Sequence, residues 1–384
     1  MWSFQSVRNF DLLSTNALGL GIFIVLSYSF LIALLKFIGT RHKKTEHDAR
    51  NGSKSGQKET NSRYENVKVS KILIHPIKSC RGTSIESSRY TPEGLEYDRI
   101  WCIIDASTNA TLTAREVPKM VLITPKVIRE PASPYGGTLE VSFPEDSGCQ
   151  PFSIPLKPTE DVLKRWQLIN NVSLWGDSSI DGYLCENLAS STTSISETLS
   201  RYMERPVHLA YKGERPRKCG PTSTFPDLQA SAKYQDGYPL LFLSEENIVA
   251  INEEMRSRIG QQGIEEKWRT EEVVVERFRP NIVLSGGGPF AEDSWREVSI
   301  GPDVESAEKA PGILVVSKCA RCLLPNVSPE TGIRDQAVPY KVLMKFRLGI
   351  DPENKWKPCV GCNGVPLSEG VIRVGDVVRV KALN

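Results

Sequence analysis

The stretch Ala17–Ile38, ALGLGIFIVLSYSFLIALLKFI, carries a single charged residue, Lys36, in 22 positions. At about 1.5 Å per residue it spans a hydrocarbon core of roughly 30 Å, so it reads as a transmembrane helix. A secretory signal is the alternative, but its apolar core runs to only about 7 to 15 residues and ends at a small-residue cleavage site. Arg41, Lys43 and Lys44 follow the segment and Arg8 alone precedes it, which puts the C-terminal body in the cytosol. Residues 39–66, GTRHKKTEHDARNGSKSGQKETNSRYEN, contain almost nothing apolar and cannot offset the entropy of ordering. They read as a disordered tether. Residues 1–16 are then a short tail, and the folded body begins at Val67.

Histidine usage narrows what that body can do. Only four occur in the chain, and His42 and His47 fall in the tether, leaving His75 and His208. A catalytic triad or a multi-histidine metal site is hard to build from two. Lys and Arg number 48 against 46 Asp and Glu, so no whole-molecule field favours nucleic acid and any basic site must be local. Nine scattered cysteines, an odd number, argue against a disulfide scaffold and for a reducing compartment.

Short apolar runs at Trp101 to Ile104, Val121 to Ile123, Leu240 to Leu243, Ile282 to Leu284 and Ile313 to Val316 recur between Pro, Gly and Ser clusters and read as strands. Helical patterning is confined to Asp161 to Leu168 and Ser244 to Ile259, the latter with Ser244 as N-cap and Gly260 beyond its end. VIRVGDVVRV alternates across a Gly-Asp turn, which suggests a terminal hairpin. Glu130 to Pro158 and Arg215 to Tyr234 read as surface loops. The expected fold class is mainly β with some helices (α+β).

Two CxxC pairs, Cys319-Ala-Arg-Cys322 and Cys359-Val-Gly-Cys362, are compatible with a four-thiolate zinc knuckle. Cys319, however, ends the continuous run ILVVSKC and is followed by Leu323 and Leu324, unlike a Gly-rich zinc turn. Buried cysteines acting as small hydrophobes are a third reading.

CARCLLPNVSPETG resembles the signature of the MOSC family, in which a cysteine preceded by Arg opens an apolar pair and a polar turn ending in Thr-Gly. Further matches follow in order. His75-Pro-Ile-Lys-Ser-Cys80, Gly94-Leu-Glu-Tyr-Asp-Arg-Ile-Trp101 and Thr113-Ala-Arg115 resemble the family's N-terminal β-barrel domain. Glu276-Arg-Phe-Arg-Pro-Asn-Ile-Val-Leu284, Ala291-Glu-Asp-Ser-Trp295 and Val374-Gly-Asp-Val377 continue through the MOSC domain. The resemblance implies an N-terminal barrel domain over 67–205 and a MOSC barrel domain over 206–384. An anchored N-terminus points, within the family, to its mitochondrial amidoxime-reducing members.

That resemblance implies a molybdenum cofactor, Mo-molybdopterin, whose dithiolene chelates the metal and whose phosphate needs cationic donors. Cys322 would be the metal ligand and the catalytic residue, with Arg321 beside it. Lys78, Ser79 and Arg99 from the first domain, and Arg279 with Asn281 from the second, would bind the cofactor. On residue type alone, Lys78 and Ser79 fit a solvated turn, Arg99 a surface pair with Asp98 or Glu96, and Arg277 and Arg279 ordinary surface arginines. WKPCVGCNGVPLSEG departs from the family's animal members, which more often carry a Phe-Gly segment there.

The implied activity is reduction of N-hydroxylated substrates such as amidoximes and hydroxylamines. No Rossmann, flavin, haem-attachment or ferredoxin motif is evident, so electrons would come from a b-type cytochrome and its NADH-dependent flavin reductase at the same membrane. The outer mitochondrial membrane is the implied location, with the endoplasmic reticulum as alternative. A non-catalytic cofactor carrier or a zinc-binding interaction module are the competing functions. The pyridoxal-phosphate domain of the family's sulfurase fusions is not expected. Sequons at Asn51, Asn109, Asn171 and Asn326 are chance matches if the body is cytosolic, and a glycan on Asn326 would exclude the proposed metal site.

Overall fold

The computed structural model describes residues 64–188 and 193–384. The expected tail, the anchor at 17–38 and the tether up to residue 63 lie outside them. Among the described residues no helix is long and apolar enough to cross a membrane. The described residues start slightly before Val67, and there the Tyr64 ring is buried and packs edge-on against Trp295, centroids 5.6 Å apart.

The described residues are mainly β with a few short helices, organised around a closed seven-stranded barrel. Around the ring run Ile282–Ser285, Leu240–Ser244, Cys359–Pro366, Ile313–Ala320, Trp295–Gly301, Val377–Leu383 and Lys68–Ile74, which pairs back with Ile282–Ser285. Period-2 alternation explains the sorting of side chains. Ile72, Ile74, Phe242, Ile282 and Leu284 join the central core. Their neighbours Leu73, Leu243 and Val283 face outward onto a second cluster with Ile251, Met255, Trp268, Val342 and Leu343. Leu240–Ser244 and Ile282–Ser285 pair in parallel, and the required crossover contains the helix Glu245–Arg256. Ser244 holds the N-cap position, but its hydroxyl donates to Glu292 at 2.7 Å instead of capping.

Strand pairing crosses the boundary expected between the two regions. One strand from each side of it is exchanged in space: Lys68–Ile74 closes the barrel of the C-terminal region, and Val207–Lys212, from just past residue 205, pairs with Trp101–Asp105. That strand pair continues through Asp177–Leu184 and Leu168–Leu174 as an open four-stranded sheet. Glu130 to Pro158, expected as a loop, contributes Gly137–Ser142 and Phe152–Pro155 to a three-stranded sheet with Thr124–Arg129. Its Pro and Gly residues misled by marking strand ends. The expected terminal hairpin also separates, because Gly370–Arg373 pairs with Ser87–Thr91 whereas Val377–Leu383 pairs with Trp295–Gly301. At Val121 the chain forms a short 3-10 turn, Pro118–Leu122, started by the proline. The helix expected to reach Leu168 stops at Arg165, and a strand begins at Leu168.

Candidate functional site

Where the barrel meets the four-stranded sheet, a cavity of about 340 Å³ is lined by residues far apart in sequence. Ser79, Arg99, Arg279, Asn281, Arg321 and Cys322 all lie in its wall. Lys78 does not. Its side chain is buried behind the wall, donating to the Tyr234 carbonyl at 2.9 Å and pairing with Asp236. Burial lowers the Lys78 pKa from the usual lysine range, against the pull of Asp236.

Cys322 follows the strand Ile313–Ala320, at the point where the chain leaves the barrel rim and turns into Leu324–Asn326. Its thiol is exposed and accepts only the Leu324 N–H at 3.5 Å. Arg321 is buried beside it, with Nε donating to the Val360 carbonyl at 2.9 Å and Nη1 to the Phe278 carbonyl at 3.0 Å. Those carbonyls fix the guanidinium without neutralising it.

Arg99 is held differently. Its Nη1 donates to both oxygens of the fully buried Asp98, at 2.9 and 2.8 Å, and its Nη2 to the Arg279 carbonyl at 3.0 Å. Burial pushes the Asp98 carboxyl up, but the Arg99 charge and the His75 hydrogen bond outweigh it and hold the group below its usual range. The adjacent His75 is buried, and desolvation with the charges of Arg279 and Arg99 drives its pKa well below the ordinary value. It is neutral at pH 7. Asn281 joins the barrel to this network: its Oδ1 accepts from Leu241 N–H at 3.2 Å and Arg99 at 3.4 Å, and its Nδ2 donates to Leu73. Arg99 is therefore not the exposed pair that residue type allowed.

The electrostatics are one-sided. Five arginines, Arg99, Arg115, Arg277, Arg279 and Arg321, and one lysine, Lys357, line the cavity against a single carboxylate, Asp236. Burial, and after it the charge of Arg99, lower the Arg279 pKa to about 10. Arg279 Nη2 and Arg321 Nη2 are buried without any hydrogen-bond partner. A buried charged donor with no acceptor is costly, so a wall of this kind suits an anionic ligand. Backbone strain gathers here too. Of nine non-glycine residues with positive φ among the described residues, Ser79, Arg99, Trp175 and Arg279 line the cavity. Each costs on the order of 1 kcal/mol and persists only where its surroundings impose it.

The other CxxC pair points elsewhere. Cys362 is buried with its thiol donating to the Glu292 carbonyl at 3.4 Å, and the buried Cys359 thiol donates to Lys357. Among the described residues no group of three His, Cys, Asp or Glu side chains could hold a metal ion, so the four-cysteine zinc centre finds no such cluster there. Asn326 is buried, donating to the Asp335 carbonyl and accepting from Tyr340 N–H, which leaves that sequon inaccessible.

Sequence reasoning missed Asp236, Tyr238 and Trp175 in the wall. A Trp-Gly pair between two alternating runs, with both residues at positive φ, was a legible hairpin turn for Trp175. Asp236-Gly237 before the Leu240 strand carried only an ordinary turn signal.

Comparison with known proteins accords with this geometry. Residues 66–205 match the MOSC N-terminal beta barrel domain model and residues 229–379 the MOSC domain model. Mitochondrial amidoxime-reducing component 1 of Mus musculus is 31% identical over 318 residues, covering 81% of both chains. Mitochondrial amidoxime reducing component 2 of Rattus norvegicus is 32% identical over 321 residues, covering 81% of this chain and 82% of that one. Molybdenum cofactor sulfurase of Danio rerio is 28% identical over 309 residues, 77% of this chain but 32% of that longer protein.

Proposed function

Because the chain belongs to the MOSC-domain family, we propose that it is a molybdenum-cofactor oxidoreductase that reduces N-hydroxylated substrates such as amidoximes and hydroxylamines. The observation that carries the reading is one exposed thiol, Cys322, at the edge of a cavity whose wall holds unpartnered guanidinium N–H groups. A soft thiolate and a set of cationic donors are what a dithiolene-bound metal with a phosphate tail requires.

The donor set fits the group. Cys322 would ligate the metal, Arg279 and Arg321 would receive anionic oxygens, and Ser79 would add a hydroxyl. Arg99, committed to Asp98 and the Arg279 carbonyl, would position the Arg279 turn while adding charge. When bound, the cofactor supplies the two electrons that, with two protons, convert N–OH to N–H and water. Behind the wall, the lowered pKa values favour Asp98 as a carboxylate and His75 as a neutral imidazole.

Electrons would reach the site from a b-type cytochrome and its NADH-dependent flavin reductase, and the segment 17–38 would anchor the chain to the outer mitochondrial membrane. The relatives' mitochondrial names support that location. A carrier that holds the cofactor without turnover is the alternative. The test is molybdenum and pterin content of the purified chain, followed by an amidoxime assay with chemically reduced cytochrome. Bound cofactor with turnover supports the reductase, bound cofactor without turnover the carrier, and zinc without pterin neither.

A further inference from the structure

We infer that a second, smaller cavity behind the Cys322 turn binds a small oxyanion of the inorganic phosphate or sulfate class. The cavity holds about 110 Å³ and lies among Arg81, Arg277 and Arg279, with Leu73, His75, Leu324 and Pro329 completing much of its wall. Arg81 and Gly82 line this space and not the larger one, whereas Arg99, Arg321 and Cys322 line the larger one and not this. It is a separate site that shares one wall.

The guanidiniums leave specific donors unused. Arg81 Nη2 donates to the Pro329 carbonyl at 2.6 Å, but its Nε is buried with no partner. Arg277 donates through Nη1 to the carbonyls of Pro325 and Asn326 at 3.2 and 3.3 Å, and its Nε is likewise buried and unpartnered. Arg277 as a whole is only 8% exposed, so little of it meets outside water. Two carboxylates also lie in the wall, Glu276 and Glu330, and both are engaged: Lys71 pairs with Glu276 at 2.9 Å, and Ser328 donates to Glu330 at 3.1 Å. Lys71 offsets Glu276, while Glu330 keeps its charge, so the guanidiniums of Arg81, Arg277 and the shared Arg279 outnumber the uncompensated carboxylate in the wall. A neutral water could accept one such donor, but an oxyanion offers several acceptor atoms and compensates the surplus charge.

Position gives the site a consequence. Arg81 belongs to the turn that carries Lys78 and Ser79, Arg277 to the turn that carries Arg279, and Pro329 to the turn that follows Cys322. An oxyanion bridging the first two would brace, from behind, the three segments that build the larger cavity. The site stands or falls independently of what the larger cavity binds.

The experiment titrates sodium phosphate, and separately sulfate, into the full-length protein with its cofactor, against chloride at matched ionic strength, following thermal midpoint and heat of binding. Expected are a saturable rise in midpoint for both oxyanions and none for chloride. Arg81→Ala should weaken the binding by about tenfold or more, the scale of one lost charge-assisted hydrogen bond, and Arg81→Lys by less. Absence of a saturable effect in the wild-type protein, which needs no variant to fold, would overturn the inference. So would an Arg81→Ala protein that binds phosphate as tightly as wild type. An oxyanion effect confined to protein stripped of cofactor would assign the anion to the larger cavity and also overturn it. Molybdenum and pterin content, measured in parallel, reports on the proposed function separately.

Discussion

The spacing Cys-x-x-Cys occurs twice, once across the end of one barrel strand and once within the strand beside it, and the two copies have opposite environments. Cys319 and Cys322 line the cationic cavity, with Cys322 exposed just past the strand end where Arg321 is pinned by backbone carbonyls. Cys359 and Cys362 lie within a strand and are buried, facing Lys357 and Glu292 carbonyls. Burial pushes the Cys359 thiol up to about 12 and Cys362 well above its ordinary value. A motif read by spacing alone treats the four as equivalent. Geometry divides them into one pair that lines the cavity and one that is buried within the barrel.

The largest expected effect of that division is on turnover. Cys322→Ala should abolish reduction of an amidoxime while shifting stability by no more than about 0.5 kcal/mol, since an exposed thiol packs against little. Cys362→Ala should do the reverse, retaining turnover while losing roughly 1 to 3 kcal/mol in a denaturant titration. Equal loss of activity in both would break the comparison.

Next in size is Arg99→Ala, which leaves the fully buried Asp98 without its cation. Removing one partner of a buried pair costs about 3 to 5 kcal/mol. The variant should therefore lose stability together with cofactor, whereas Arg279→Ala, whose Nη2 has no protein partner, should lose cofactor with a smaller stability change. Thermal midpoint and pterin content measured on both variants separate the two roles.

A smaller effect lies in pH. His75 is depressed in the folded chain, so below its unfolded pKa of about 6.5 the unfolded state takes up a proton that the folded state refuses. Stability should fall as pH drops from about 7 toward 5, by at most about 1.4 kcal/mol per pH unit from this group. Asp98, also depressed, adds a further loss only as pH falls through and below about 4. His75→Asn should flatten the slope between pH 7 and 5 and leave the acid limb in place. An unchanged slope would remove His75 as its source.

Much of this was legible before any fold was known, because the motifs around Lys78, Arg99, Arg279 and Cys322 stand in one order along the chain. Strand positions at Trp101, Leu240, Ile282 and Ile313 followed from apolar runs between turn residues. What escaped was pairing. Nothing local tells Lys68–Ile74 to close a barrel with Ile282–Ser285 across more than 200 residues, or Gly370–Arg373 to leave its apparent hairpin partner for Ser87–Thr91. Asp236 and Trp175 escaped for the same reason, since their role depends on which turns the pairing brings together. The surface reading of Arg99 failed because Asp98 next to it points inward, a fact set by the His75 backbone N–H it accepts at 2.8 Å.

The claim that Cys322 alone among the four cysteines meets the metal is tested most directly by X-ray absorption at the molybdenum edge. The samples are cofactor-loaded full-length protein, Cys322→Ser and Cys362→Ser. The expected result is one fewer sulfur neighbour at molybdenum in Cys322→Ser and an unchanged spectrum in Cys362→Ser. Sulfur coordination that survives in Cys322→Ser, or falls in Cys362→Ser, would contradict the account.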